Sequence, residues 1–274
     1  MEMFPMLKSL GLKMNRTDYG VRYCGGKLIT VPIRGGHGKR RAWDFTGSSN
    51  TEELNKVLRK IIMVRRTKEE VLTELPRKVR QVISMDFKSG ESREFRERFA
   101  SLSLAADILR TAGKIPFTEL ARERYNVAMA KLPYVLDFLN DLLEEEEKVV
   151  VFAHHRDVID AIVNAGENRV ALAGGMTEKQ KDAAVQAFQN GPARVFVGQI
   201  VAAGTGLTLT AARTVLFAEL DWVPGNVTQA EDRCHRIGQK DTVRVFHLVA
   251  EGSIDARIVR AIVDKQQIIK EITK

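Results

Sequence analysis

An α/β protein with a parallel sheet, preceded by a mainly helical and basic section, is what the 274 residues predict. Three observations carry that prediction. From Lys131 onward, short β-rich runs alternate with helical segments. Those runs are apolar at nearly every position, as strands covered on both faces are. The basic excess is confined to the first third: residues 1–90 hold 19 Lys+Arg against 9 Asp+Glu, a balance of +10, whereas residues 91–274 hold 24 against 26. Such a patch is the usual footprint of nucleic-acid binding, although basic surfaces also serve solubility.

The front section, residues 1–130, opens without repeats. Gly25–Arg41, "GGKLITVPIRGGHGKRR", is glycine-rich and basic and reads as a loop or hairpin. "TEELNKVLRKIIMVRRTKEEVLTEL", residues 51–75, reads as one long helix that Pro76 ends before an extended connection toward "VRQVISMDF". "ESREFRERFASLSLAADILR", residues 91–110, reads as a second helix. In the second section, residues 131–274, "KLPYVLDFLNDLLEEEEK" places Val135, Phe138, Leu139 and Leu142 at helical spacing, with Pro133 in the first turn and Glu144–Glu147 as a solvated end. Five strands follow, "KVVVFA", "NRVALA", "ARVFVG", "RTVLFAEL" and "TVRVFHLVA", with "RDVIDAIVNAG" and "MTEKQKDAAVQAFQNG" as helices between them.

No run approaches the roughly 18 apolar residues of a membrane helix, and the start "MEMFPMLKSLG" lacks the blocks of a signal peptide. The expectation is an intracellular protein without a membrane partner. Cys24 and Cys234 form no metal-ligand spacing with each other or with the five histidines, so neither a disulfide framework nor a zinc site is indicated.

Ligands of an open parallel sheet gather at the carboxyl ends of its strands. "GQIVAAGTGLTLTAA", Gly198–Ala212, follows such a strand, and Gly204 and Gly206 would let backbone amides approach a phosphate. Glycines after a strand also simply make turns. The next strand runs into "ELDWVPGNVTQAEDRCHRIGQ", where Arg233 and Arg236 are three residues apart and would share a helix face at the same edge of the sheet. Two guanidinium groups aimed at one object suit an anion. The alternative is a surface helix in which both arginines pair with Glu231 and Asp232.

In this order and spacing "VFAHH", "AGTGLTLTAA", "FAELDWVPG" and "QAEDRCHRIGQ" resemble the second RecA-like lobe of the SWI/SNF-related helicase-like ATPases of superfamily 2. "IMVRRTKEEVLTELPRKVRQ" is similar to the family segment joining the two lobes, and "YGVRYC" and "DFTGSSN" look closest to the annealing-helicase and fork-remodelling branch. The resemblance covers nearly the whole chain.

It implies a RecA-like fold and a DNA-dependent ATPase or translocase. Arg233 and Arg236 would act as arginine fingers on the phosphates of ATP, with Gly204, Gly206 and Gln229 nearby, and both ATP and Mg²⁺ would be held mainly by a first lobe. It also implies DNA-backbone contacts, to duplex or forked DNA, through His154, His155, Gly174, Gly175, Thr177 and Gln199. His154 and His155 are equally readable as a strand-end cap. Gln199 stands where the family has Ser or Thr, and Lys181 where Arg is common. Trp222 would couple nucleotide state to DNA grip, or simply pack in the core. Arg65, Arg66 and Lys68 suit an exposed helix face and a DNA phosphate equally.

Such an ATPase needs G-x-x-x-x-G-K-[ST] and an acidic pair for Mg²⁺ and the attacking water. "GGHGKR" has the wrong spacing, with Arg40 where Ser or Thr should stand, and no Asp-Glu dipeptide occurs. The expectation is half of an active site, completed by an N-terminal RecA-like lobe in cis or on a separate chain, and inactive without it. The alternative function is a non-catalytic nucleic-acid-binding module.

Overall fold

The protein was analysed as a computed structural model that describes residues 3–32, 38–61, 63–64, 66, 68–85, 117–203, 206–251, 253, 255–256 and 258–259. The helix expected over residues 91–110, and the candidate residues Arg65 and Gly204, lie outside the described residues. A boundary between Val71 and Leu72 separates two compact units.

The first unit holds α1 (Phe4–Ser9), α2 (Arg16–Tyr23), the strands β1 (Lys27–Pro32) and β2 (Lys39–Asp44), α3 (Thr51–Ile61) and α4 (Lys68–Val71). Its glycine-rich stretch is an antiparallel hairpin. Leu7, Tyr19, Tyr23, Cys24, Leu54 and Leu58 form a small core. The motifs "YGVRYC" and "DFTGSSN" bind one another directly: Ser49 and Asn50 both donate to the Arg22 carbonyl at 2.7 Å, and Ser49 Oγ accepts the Gly25 N–H at 2.9 Å. The single helix expected over residues 51–75 is instead two. Leu54 and Leu58 bury the apolar face of the first, and past Ile61 the chain leaves the helix while Met63 still packs against the same core.

The second unit is a six-stranded parallel sheet in the order β3-β8-β7-β4-β6-β5. Its elements are β3 (Lys78–Met85), α5 (Phe117–Glu145), β4 (Val149–Ala153), α6 (Arg156–Asn164), β5 (Arg169–Leu172), α7 (Glu178–Gln189), β6 (Val195–Gln199), α8 (Ile200–Ala203), β7 (Thr214–Phe217), α9 (Pro224–Glu231) and β8 (Val243–Ala250). All five expected strands are present. Alternate residues of β4 feed opposite cores: Val150 and Phe152 meet Phe188, Ala203 and Val227 from α7, α8 and α9, while Val149 and Val151 meet Leu139, Ile159 and Ile162 from α5 and α6. Helices therefore cover both faces, which is why the strands read as unbroken apolar runs.

Two differences from the sequence reading have clear causes. The stretch after Pro76 is not a connection but β3, which pairs with β8 from Lys78↔Val243 to Met85↔Ala250. Its many charges suit the edge position it takes, where charge also deters further pairing. The sequence division at 130/131 thus falls inside the sheet-bearing unit. Helix α5 starts at Phe117, so Pro133 lies within it and not in its first turn. An interior proline removes a backbone hydrogen bond and costs about 3 kcal/mol; burial of Val127, Ala128 and Lys131 before it and Val135, Leu139 and Leu142 after it holds the helix through that position.

Candidate phosphate and nucleic-acid sites

At the carboxyl ends of β4, β5 and β6 the chain gathers His154, His155, Gly174, Gly175 and Gln199. One acid organises them. Glu219, just past β7 and 2% exposed, accepts the backbone N–H groups of His154 and His155 at 2.8 and 2.9 Å and contacts His155 Nδ1 at 2.6 Å. Burial alone would raise its pKa; the hydrogen bonds and charge of His155 with the His154 N–H outweigh burial and hold it at about 2. The buried Arg124 reaches the Leu220 carbonyl beside it. Burial first and the Arg124 charge second lower the pKa of His154.

Gln199 ties the three loops together. Its amide donates to the His154 carbonyl at 3.1 Å and its oxygen accepts the Gly174 N–H at 2.8 Å. A Ser or Thr side chain is too short to span both, so this departure from the family pattern has a structural role. Thr177 caps α7 in a reciprocal capping box with Gln180, and Lys181 pairs with Glu178 at 2.6 Å. Gly174, Gly175 and Thr177 are exposed. Trp222 is half-buried against the core beneath α9, and Arg66 is exposed.

Arg233 and Arg236 are elsewhere. Helix α9 ends at Glu231, and the two arginines occupy the turn after it, not a helix face. Bonds from Arg233 N to Ala230 O and Cys234 N to Glu231 O keep three residues per turn, so side chains three apart still align. Both guanidinium groups reach one acceptor, the Leu207 carbonyl, at 3.4 and 3.1 Å. Burial, then the charge of Arg236, lowers the Arg233 pKa.

The turn is fixed to the loop entering the amino end of β7, not to the carboxyl-edge cluster. Leu209 N donates to Arg233 O, His235 Nε2–H donates to the Pro76 carbonyl at 2.6 Å, and Cys234 is fully buried with its thiol pKa raised by that burial. Gln239 staples the arrangement, donating to the carbonyls of Ala212 at 2.8 Å and Thr210 and Cys234 at 3.3 Å while accepting from Lys240 N and Asp241 N. The expected meeting of the arginines with the Gly198–Ala212 loop is thus seen at Leu207 and Leu209, but apart from the His154, Gly174 and Gln199 cluster, because α9 carries the chain back along the sheet before the arginines occur.

Of the alternative pairing with Glu231 and Asp232, the Asp232 charge does act on Arg233, but both acids are also held by cations of β3. Arg80 grips Glu231 with two bonds at 2.8 and 2.6 Å, and Lys78 lies 2.8 Å from Glu231 and 3.0 Å from Asp232. Burial would raise the Glu231 pKa, but His247, Arg80 and Lys78 hold it at about 2. Glu219, Gln239 and Arg124 were not singled out by the sequence reading. A carboxylate immediately after a buried strand was the available signal for the first; the other two had none.

Two like charges converge at the arginine turn, and adjacent Gly206 has φ +73° with nothing within 4 Å of where a Cβ would stand, which leaves its backbone open. Gln229 is exposed on α9 just before the turn. Among the described residues no three His, Cys, Asp or Glu side chains group as a metal site requires, so Mg²⁺ has no evident holder there.

Residues 130–238 match the helicase conserved C-terminal domain. The chain is 39% identical over 249 residues to the human DNA annealing helicase and endonuclease ZRANB3, covering 87% of this chain and 22% of that protein. It is 35% identical over 260 residues to the Xenopus tropicalis SWI/SNF-related matrix-associated actin-dependent regulator of chromatin subfamily A-like protein 1, covering 92% and 26%. It therefore spans about a quarter or less of the length of these relatives. The C-terminal part of the Fun30 ATPase domain shares the fold at TM-score 0.54 and 14% identity, covering 72% of this chain and 97% of that one. The Sulfolobus solfataricus SWI2/SNF2 ATPase core solved with dsDNA does so at 0.56 and 23%, covering 81% and 51%. Fold and site define a helicase-type RecA-like lobe. The chain belongs to the SWI/SNF-related helicase-like ATPases, of which it carries the C-terminal lobe.

Proposed function

We propose that the chain is the C-terminal half of an intracellular DNA-dependent ATPase and translocase that anneals strands or remodels forks, with Arg233 and Arg236 as its arginine fingers. The observation that carries the reading is the convergence of both guanidinium groups on one carbonyl while Glu231 and Asp232 are engaged by Lys78 and Arg80. Mutual repulsion of the two cations is relieved by an anion between them, and most where negative charge grows, so the pair stabilises phosphoryl transfer more than ATP binding. Mg²⁺, when bound by a first lobe, would neutralise phosphate charge.

The carboxyl-edge loops form the DNA-backbone contact in this reading. Glu219 and Gln199 hold the His154–His155 turn and the Gly174–Gly175 turn through their own amides, so that a phosphate would meet the exposed surface at Gly175 beside the Thr177 cap; Arg66 and Lys68, in the first unit, would add sequence-independent charge. Trp222, packed beneath α9, is positioned to pass strain between the two places. The chain alone, without a P-loop or Asp-Glu pair, hydrolyses no ATP.

The test restores an N-terminal lobe, as a longer protein or a supplied partner, and replaces each arginine by Ala. DNA-stimulated kcat should fall by about 10³-fold or more with DNA affinity little changed, and Lys should rescue poorly because it lacks the planar fork. Near wild-type kcat in both folded Ala variants would refute the finger role. Robust turnover by the chain alone would refute the half-site, and DNA binding without turnover after restoration would favour a non-catalytic binding module.

A further inference from the structure

The two faces of the β1–β2 ribbon differ in chemistry. Leu28 lies opposite Trp43 and Thr30 opposite Arg41, and strand alternation puts Lys39 on the same face. All five are exposed; on the other face Lys27, Ile29 and Arg40 are exposed as well, beside the partly covered Val31 and Ala42, so the faces differ in the ring and the acid and not in the number of cations. The neighbouring acid, Asp44, belongs to that other face and is occupied by the Thr46 N–H and hydroxyl at 3.0 and 2.7 Å. One side of the ribbon is thus a line of cations running from an aromatic ring, with no acid on it.

The ring is held in place. Trp43 is 45% exposed and stacks parallel to Phe45, with centroids 5.8 Å apart and planes 5° apart. Phe45 in turn fills the space that two missing side chains leave: a Cβ on Gly20 would come within 2.3 Å of its ring and one on Gly26 within 2.9 Å. The side of Trp43 that stacks on Phe45 serves the fold, and the other side leaves an indole face open to solvent in a fixed plane. Flat aromatic faces beside cations suit bases joined by phosphates, and unstacked bases most of all, because a paired base in a duplex offers no free face. An acidic peptide would meet the cations but leave Trp43 without a matching partner.

We propose that this ribbon face binds unpaired nucleotides, with Trp43 stacking on a base and Arg41 and Lys39 holding the adjoining phosphates. The inference deepens the DNA-binding reading above and rests on it: it assigns the first unit to the single-stranded part of a fork. The chain has 2 tryptophans, so the emission lost in a Trp43→Phe variant, measured against the unchanged chain, is that of Trp43. A thymine oligonucleotide should quench its emission and an equally long blunt duplex should not. Trp43→Ala should weaken binding of the labelled oligonucleotide, followed by anisotropy, by about 5- to 150-fold. Arg41→Gln and Lys39→Gln should each reduce the log-log salt slope by about 0.7. If the oligonucleotide binds with Trp43 emission and Trp43→Ala affinity both unchanged, the ribbon assignment falls and DNA binding stands. If neither oligonucleotide nor duplex binds, both fall. Quenching by a glutamate peptide and not by the oligonucleotide would overturn the proposal in favour of an acidic protein partner.

Discussion

Two places in the second unit use charge in opposite ways. At the carboxyl edge a buried carboxylate, Glu219, is surrounded by donors, and Gln199 closes the remaining gap between loops. After α9, Arg233 and Arg236 are brought together against a single carbonyl although their charges repel. The first arrangement is a scaffold that fixes backbone geometry and has little charge left to offer. The second brings two cations together at a position fixed by other residues: Glu231 held by Lys78 and Arg80, His235 by Pro76, and Gln239 by three carbonyls. A polar cluster in a sheet protein is thus better judged by whether its charges are neutralised than by how many it contains.

That contrast makes the arginines matter to rate and their neighbours to folding, and the effects can be ranked. After the kcat loss expected for the arginines, the next largest change belongs to Glu219→Ala. It strands two backbone N–H groups and the positive field of buried Arg124, and should destabilise the second unit by about 3 kcal/mol. Denaturant unfolding measures it, and a change under about 1 kcal/mol would mean that water replaces the carboxylate and the edge is no scaffold. Gln239→Ala removes the staple between the arginine turn and the loop before β7. A loss of about 1–3 kcal/mol in the same measurement is expected, and with a restored first lobe a fall in kcat larger than any fall in DNA affinity. Equal losses of both would erase the distinction between the two places.

The smallest effect is one of pH. Glu219 and Glu231 are both held at about 2, below the ordinary value of 4.5. A depressed carboxyl pKa contributes stability that is complete above about pH 4.5 and lost as pH falls toward 2. Melting temperature should be insensitive to these two groups near neutrality and decline through that acid window. Glu219→Gln and Glu231→Gln should each flatten the decline, and an unaltered acid profile in both would show that neither carboxylate is ionised by its partners.

Much of this was legible in the residues. The apolar strands, the capped helices and the paired arginines are local patterns, and each depends on neighbours within a few positions: "VVVFA" is a buried strand wherever it occurs, and Thr177 with Gln180 writes its own helix start. What contradicted local pattern needed distant partners. Lys78 and Arg80 make β3 look like a polar linker until Glu231, more than 150 positions away, pairs with them. Pro133 reads as a helix start until the cores on either side of it hold a longer helix together.

The sequence by itself determined the class of the lobe, the identity of the cations and the basic character of the first third. Only the tertiary structure decided that the arginines and the His154, Gly174 and Gln199 cluster are separate places, that Gln199 and Glu219 organise the cluster and Gln239 the arginine turn, and that Trp43 faces outward on a basic ribbon. The reason is physical. Strand and helix periodicity is set by backbone geometry within a few residues, whereas the partner of a buried charge is chosen by whatever the fold brings within hydrogen-bond reach, and separation along the chain does not limit that choice.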